Sequence, residues 1–251
     1  MSGAETTAIT SFDGTKLAVH RLGQGRPVLL LHGLFSNADM NWIKFGHAQK
    51  LADAGFEAIM PDLRAHGASD APHNPAAYPP DVLAKDAHAL IKALGLELFD
   101  LVGFSLGSRT SARAVISGAT PRKLVLSGMG LEGLSGWNRR ADFFIDAIDR
   151  FDEVKRGDPA FMAVSFMKTM KVDRVAARLL LQSVADTERG ELAKLVMPTM
   201  VLCGDKDQDN GSAPALAEAL PRAHYAEIPG THMSSVTEGP LGDALVEFLG
   251  E

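Results

Sequence analysis

Phe99-Asp100-Leu101-Val102-Gly103-Phe104-Ser105-Leu106-Gly107-Ser108-Arg109 is the stretch on which the reading of this chain turns. From Phe99 to Phe104 it is apolar apart from Asp100, as befits a strand covered on both faces. Ser105 then stands between two glycines, as Gly-x-Ser-x-Gly. A strand that turns sharply into a helix forces its central residue into strained backbone angles. The residues two before and two after must then be small, or their side chains collide. Such a turn lifts the serine hydroxyl above the sheet. It also aims the Leu106 N–H, at the helix start, at whatever the serine attacks. Ordinary turns also satisfy a five-residue pattern. The weight comes from the strand-turn-helix context and from what surrounds it.

Upstream, residues 8–12 and 16–21 read as two strands of a hairpin turning at Asp13-Gly14. Residues 27–31 are a short apolar strand ending in His32-Gly33-Leu34-Phe35. Residues 41–54 have helical spacing, with Trp42, Phe45, Leu51 and Ala52 on one face and Gly55 as the stop. The strand 56–60 runs into a polar loop, Pro61-Asp62-Leu63-Arg64-Ala65-His66-Gly67-Ala68-Ser69-Asp70. After a proline-rich stretch, residues 81–94 form an amphipathic helix. Downstream of Ser105, residues 108–117 are a helix and 123–127 a strand.

From residue 131 to about 190 the strand rhythm stops. Three helices are expected there, at 138–151, 159–170 and 173–185, rich in Phe and Met. Asp158-Pro159 is a favourable helix start. Strands then return at 198–203 and 224–228, with helices at 213–220 and 241–249. Alternation of this kind means an α/β fold, a mostly parallel sheet with helices on both faces. The reading is one domain, 1–251, with 131–190 as a helical cap insertion. Active sites of such sheets gather at the carboxyl ends of the strands. His32, Asp62, Ser105 and Met129 all follow strand ends and should share one rim.

Composition narrows the function. The chain has 251 residues, 46% hydrophobic and 22% charged, with a formal net charge of −6. An acidic balance disfavours nucleic acid and anionic membranes as partners. Cys203 is the one cysteine, so no internal disulfide can form, and it reads as a small core residue. Met1 to Thr7 lacks the basic and apolar regions of a secretory leader, and no apolar run is long enough to span a bilayer. A cytoplasmic protein, monomer or homodimer, acting on a small molecule is expected.

A serine hydroxyl needs a base to take its proton, and the base needs a third group to orient it. His232, in a loop after a late strand, is the natural base. Asp205, Asp207 and Asp209 compete to be the acid. Asp207 is chosen because the loop should have turned by then to face the rim. The oxyanion of a tetrahedral intermediate needs two N–H donors. Leu106 supplies one and Leu34 the other, with Phe35 as runner-up. His32 and His66 are read as ordering their loops. There is no metal-ligand spacing and no phosphate-cradling Gly-x-Gly-x-x-Gly, so neither metal nor cofactor is expected.

These residues together resemble an α/β-hydrolase of the esterase, lipase and haloperoxidase-like type. The resemblance rests on His32-Gly33, the Asp62–Ser69 loop, the Ser105 elbow, Gly204-x-x-Asp207 and Gly230-Thr231-His232. It implies an eight-stranded, mostly parallel sheet whose second strand is antiparallel, with a cap inserted after the sixth strand. The chain departs from the common pattern at Ala65, at Ser108-Arg109 and at Thr231, where glycine is usual. Serine at the nucleophile position argues against the haloalkane dehalogenase and epoxide hydrolase branches. The expected activity is hydrolysis of a small to medium, largely apolar carboxylic ester, thioester or lactone through an acyl-enzyme on Ser105. The expected pocket wall is Leu34, Trp42, Phe104, Met129, Trp137, Phe144 and Met233. Cofactor-free perhydrolysis or C–C bond hydrolysis would use the same triad. A non-catalytic ligand-binding receptor on the same fold is the reading from another class.

Overall fold

The apolar runs of the sequence pair side by side in the computed structural model, which describes residues 3–251. The elements in order are β1 (Glu5–Thr10), β2 (Lys16–Gly23), β3 (Arg26–Leu31), a π-helical turn (Asp39–Ile43), α1 (His47–Asp53) and β4 (Phe56–Pro61). A 3₁₀ turn (Pro75–Ala77), α2 (Val82–Ala93), β5 (Asp100–Phe104), α3 (Leu106–Ile116) and β6 (Leu124–Ser127) follow. Next come α4 (Leu131–Ser135), α5 (Trp137–Asp149), α6 (Phe161–Met170), α7 (Arg174–Ser183) and a 3₁₀ turn (Arg189–Lys194). The chain closes with β7 (Thr199–Gly204), α8 (Ala213–Ala219), β8 (Ala223–Ile228) and α9 (Pro240–Gly250).

The eight strands form one sheet in the order β1-β2-β4-β3-β5-β6-β7-β8. β2 pairs antiparallel with both β1 and β4, and every other pair is parallel. Period-two alternation splits the strand side chains between two cores. Val28, Leu30, Val102, Val125 and Leu202 meet α1 and α9 on one face. Leu29, Leu31, Leu101, Leu126 and Val201 meet α2, α3 and α8 on the other, and the helices between β6 and β7 extend that second core. Among the described residues no helix is long and apolar enough to cross a membrane. The leader region read from Met1 to Thr7 begins outside the described residues, at Met1 and Ser2.

Three local expectations are corrected. β1 lies at Glu5–Thr10 rather than 8–12, because this exposed edge strand takes its register from pairing with β2 and not from an apolar face. The single helix expected over 41–54 is broken at Gly46, which adopts a left-handed φ of 81°. The block between β6 and β7 begins with an extra short helix, α4, which packs so closely that a Cβ on Gly133 would meet Asn210 and the Met129 sulfur.

Candidate active site

β5 delivers Ser105 into the turn before α3 with φ 53° and ψ −111°. A non-glycine residue there costs on the order of 1–3 kcal/mol of local strain. The flanking glycines are required. A Cβ on Gly103 would run into the Gly107 backbone, and one on Gly107 into the Leu31 carbonyl. The Ser108 hydroxyl, buried beneath, lies 2.8 Å from the Gly103 oxygen and 2.7 Å from the Ser127 oxygen, pinning the turn to β5 and β6. Ser105 itself is only 9% exposed.

Two neighbouring strand ends complete the arrangement. The loop after β8 places His232 Nε2 3.0 Å from Ser105 Oγ. The loop after β7 places Asp207 Oδ2 2.8 Å from His232 Nδ1. A carboxylate can only accept, so Nδ1 carries the proton and Nε2 is left to accept from the serine. Of the three competing carboxylates only Asp207 reaches the ring. Asp205 accepts the Gly230 N–H at 2.7 Å, and Asp209 is exposed. The Phe104 ring leans on the imidazole at a centroid distance of 5.0 Å. Gly128 clears space for it, since a Cβ there would stand 3.1 Å from His232 Cε1.

The loop after β3 is held by two buried histidines. The Leu63 N–H donates to His32 Nε2 at 2.9 Å, so His32 Nδ1 carries the proton and donates to the Gly33 oxygen. The Phe35 N–H donates to His66 Nε2 at 3.0 Å, and His66 Nδ1 donates to the Arg64 oxygen. Asn41 Oδ1 accepts the Gly33 N–H, and Asp62 accepts those of Ala38 and Ala68. These bonds leave the Leu34 N–H without a protein acceptor among the described residues, while the Phe35 N–H is already engaged. The Leu106 N–H, at the uncapped start of α3, is likewise free.

Burial, helped by the neighbouring His66, pushes His32 down to about 3. Burial also lowers His66, and it lowers His47, whose Nε2 bonds the Val236 oxygen and ties α1 to the chain before α9. All three are neutral when folded but take up protons when unfolded, below their ordinary 6.5. Stability from these groups is therefore present above pH 6.5 and lost as pH falls below it, for His32 by up to about 1.4 kcal/mol per pH unit down to about 3. Urea midpoints at pH 7.5 and 5.5 should show the loss, and His47→Gln should shrink it. A slope unchanged in that variant would refute the assignment.

The structure also sorts the expected pocket wall. Phe104 lies against the His232 ring, while Leu34, Met129 and Phe144 belong to the core on the other face of the sheet. Trp42 is no part of such a wall: with 0% exposure it touches no water-sized space and packs behind the loop, in the α1 core. Trp137 is buried inside the helical block, its Nε1 donating to the Leu181 oxygen. Met233 is 50% exposed on the outer loop. Asn41 and Asn210 were missed by sequence reasoning. Asn210 Nδ2 donates to the Gly128 oxygen at 2.7 Å, and neither asparagine lies in a motif that marks it.

A sequence profile described as the alpha/beta hydrolase fold matches residues 26–144. The chain is 27% identical to the non-heme chloroperoxidase CPO-A1 of Kitasatospora aureofaciens, over 96% of this chain and 98% of that protein. It is 28% identical to the AB hydrolase superfamily protein YisY of Bacillus subtilis, over 76% and 78% respectively. Among solved structures, an esterase from Exiguobacterium antarcticum superposes with a TM-score of 0.81 at 23% identity, covering 98% of this chain and 100% of that one.

Proposed function

We propose, for a chain with the α/β-hydrolase fold, that it is a serine hydrolase cleaving a small to medium carboxylic ester, thioester or lactone. The observation that carries the reading is the unbroken hydrogen-bond chain Ser105–His232–Asp207, beside which the Leu34 and Leu106 N–H groups have no acceptor among the described residues. Ser105 Oγ attacks the acyl carbon as His232 Nε2 takes its proton. Asp207 holds the tautomer and stabilises the imidazolium. The Leu34 and Leu106 N–H groups receive the oxyanion. The intermediate collapses as His232 gives its proton to the departing alcohol, and water, activated by the same nitrogen, releases the acid. Phe104 lies against the His232 ring, and Phe35, Phe144 and Phe143 stack edge-to-face in succession from the Leu34 loop onto α5, which favours an apolar acyl or alcohol group.

A second reading has a specific support, the likeness to a non-heme chloroperoxidase over 96% of the chain. Hydrogen peroxide in place of water at the acyl-enzyme would give a peracid on the same residues. Fluorophosphonate labelling located by peptide mass, beside a p-nitrophenyl ester series from acetate to decanoate, tests the first reading. Peracid formation from acetate and peroxide tests the second. Label and turnover both mapping to Ser105 support the hydrolase. Labelling without ester turnover favours the perhydrolase, and ligand binding without any turnover favours a receptor.

A further inference from the structure

Arg140, on α5, is half-buried, and among the described residues it has no carboxylate within ion-pairing distance. Its Nη1 donates instead to the backbone oxygen of Asp209. The Asp209 N–H in turn donates to Asp207 Oδ1 at 3.1 Å, and Asp207 Oδ2 holds His232 Nδ1 at 2.8 Å. Three consecutive hydrogen bonds thus connect the helical block to the imidazole. The guanidinium also lies 5.7 Å from the Phe144 ring centroid, and Phe144 meets Phe35 edge-on at 5.5 Å. Arg140 therefore braces both loops that flank Ser105, the one bearing Asp207 and the one bearing Leu34.

The charged groups around the His232–Asp207 pair are few. Asp205, Lys206 and Asp209 lie on the acid's own loop, Asp205 engaged with the Gly230 N–H and Lys206 exposed, and the buried Cys203 thiol at the end of β7 donates to the Met129 oxygen. Arg140, with Arg139 beside it, comes from α5. The segments Phe104–Ser105, Gly128–Met129 and Met233–Ser235 carry no charge. Burial pulls the Arg140 guanidinium down while the Asp209 and Asp207 carboxylates favour its charge, so the loop and the cation stabilise each other.

We propose that Arg140 is a positioning residue for the reaction: through the Asp209 backbone it holds Asp207 against His232, in the orientation that aims the imidazole at Ser105. The proposal rests on the serine hydrolase reading above. It is tested with Arg140→Gln and Arg140→Lys in the full chain, using p-nitrophenyl butyrate. Arg140→Gln is expected to lower kcat about tenfold with KM within about twofold. Arg140→Lys, which keeps a cationic donor for the Asp209 oxygen, should restore most of kcat. A change confined to KM would mean that Arg140 contacts substrate instead, and a kcat unchanged in Arg140→Gln would show that Asp207 needs no brace; either overturns the proposal. The NMR resonance of the His232 Nδ1 proton, assigned by difference from His232→Gln, reads the hydrogen bond to Asp207 without turnover. Absence of ester hydrolysis in the wild type would thus count against the hydrolase reading alone. An Nδ1 proton resonance equal in wild type and Arg140→Gln would count against Arg140 alone.

Discussion

Ser105→Ala is expected to lower kcat by about 10⁴-fold or more while the protein stays folded. The hydroxyl is the only atom removed, and it makes no hydrogen bond except to His232. Alanine must adopt the same φ of 53°, so the strain of the turn is unchanged. Removing the attacking oxygen leaves the two N–H donors and the apolar walls intact, and these alone sustain only a small residual rate. Asp207→Asn should cost about as much by another route. An amide can present its N–H to Nδ1, which turns the imidazole to the tautomer with its proton on Nε2, the wrong nitrogen for a base. Because the groups act as a unit, the double variant should be scarcely worse than either single one. Steady-state rates on p-nitrophenyl butyrate, with circular dichroism to show the fold, decide it. A Ser105→Ala protein retaining a tenth of the wild-type rate would end the acyl-enzyme mechanism.

The parts of the site that were legible in the sequence are those whose chemistry forces a local pattern. A serine raised on a sharp turn demands Gly103 and Gly107, and the clashes that a Cβ would meet there show why. His232 and Asp207 follow strand ends because a parallel sheet presents side chains there. Asp207 rather than its neighbours reaches His232 because Gly204 and the next two residues complete the turn, with the Asp207 N–H donating to the Gly204 oxygen at 3.0 Å. Trp42 was misplaced because helical spacing says which residues share a face, not which way that face looks once Gly46 breaks the helix. Trp137 was misplaced because an aromatic residue near a strand end can equally fill a core. Contacts made across long separations left no local trace. Arg109 lies at one of the departures from the resembled family pattern. Its side chain donates to the oxygens of Ala185 and Gly133 and lies 4.9 Å from the Trp137 ring centroid, so it anchors the helical block onto α3. Burial holds that guanidinium down to about 10, still charged at neutral pH. Ala65, another departure, has φ 65°, which is why glycine is favoured at that point in the loop.

Arg64→Ala is expected to destabilise the fold by about 3–5 kcal/mol, the largest effect on stability of any single side chain discussed. Arg64 is fully buried in the loop after β4. Its guanidinium grips Asp86 of α2 at 2.9 and 2.7 Å and Asp13 of the β1–β2 hairpin at 2.6 and 2.9 Å, and it donates to the Ala77 oxygen. One cation therefore joins three segments that are distant in sequence. The two carboxylates respond differently. Asp13, 22% exposed, is drawn down to about 2 by Arg64, whereas burial pushes up Asp86, which is 3% exposed. Asp13 thus contributes about 2 kcal/mol above its ordinary 3.8, lost as pH falls from there towards 2. Without Arg64 the Asp86 carboxylate is left buried with only the Ser11 hydroxyl, while Asp13 can turn to water. The melting temperature should fall by about 10 °C for a chain of this size. Arg64→Met combined with Asp86→Asn should recover part of that loss, because it removes the stranded charge and keeps the packing volume. A double variant no more stable than Arg64→Ala would show that the cost lies in the lost hydrogen bonds to Asp13 and the Ala77 oxygen and not in the uncompensated carboxylate.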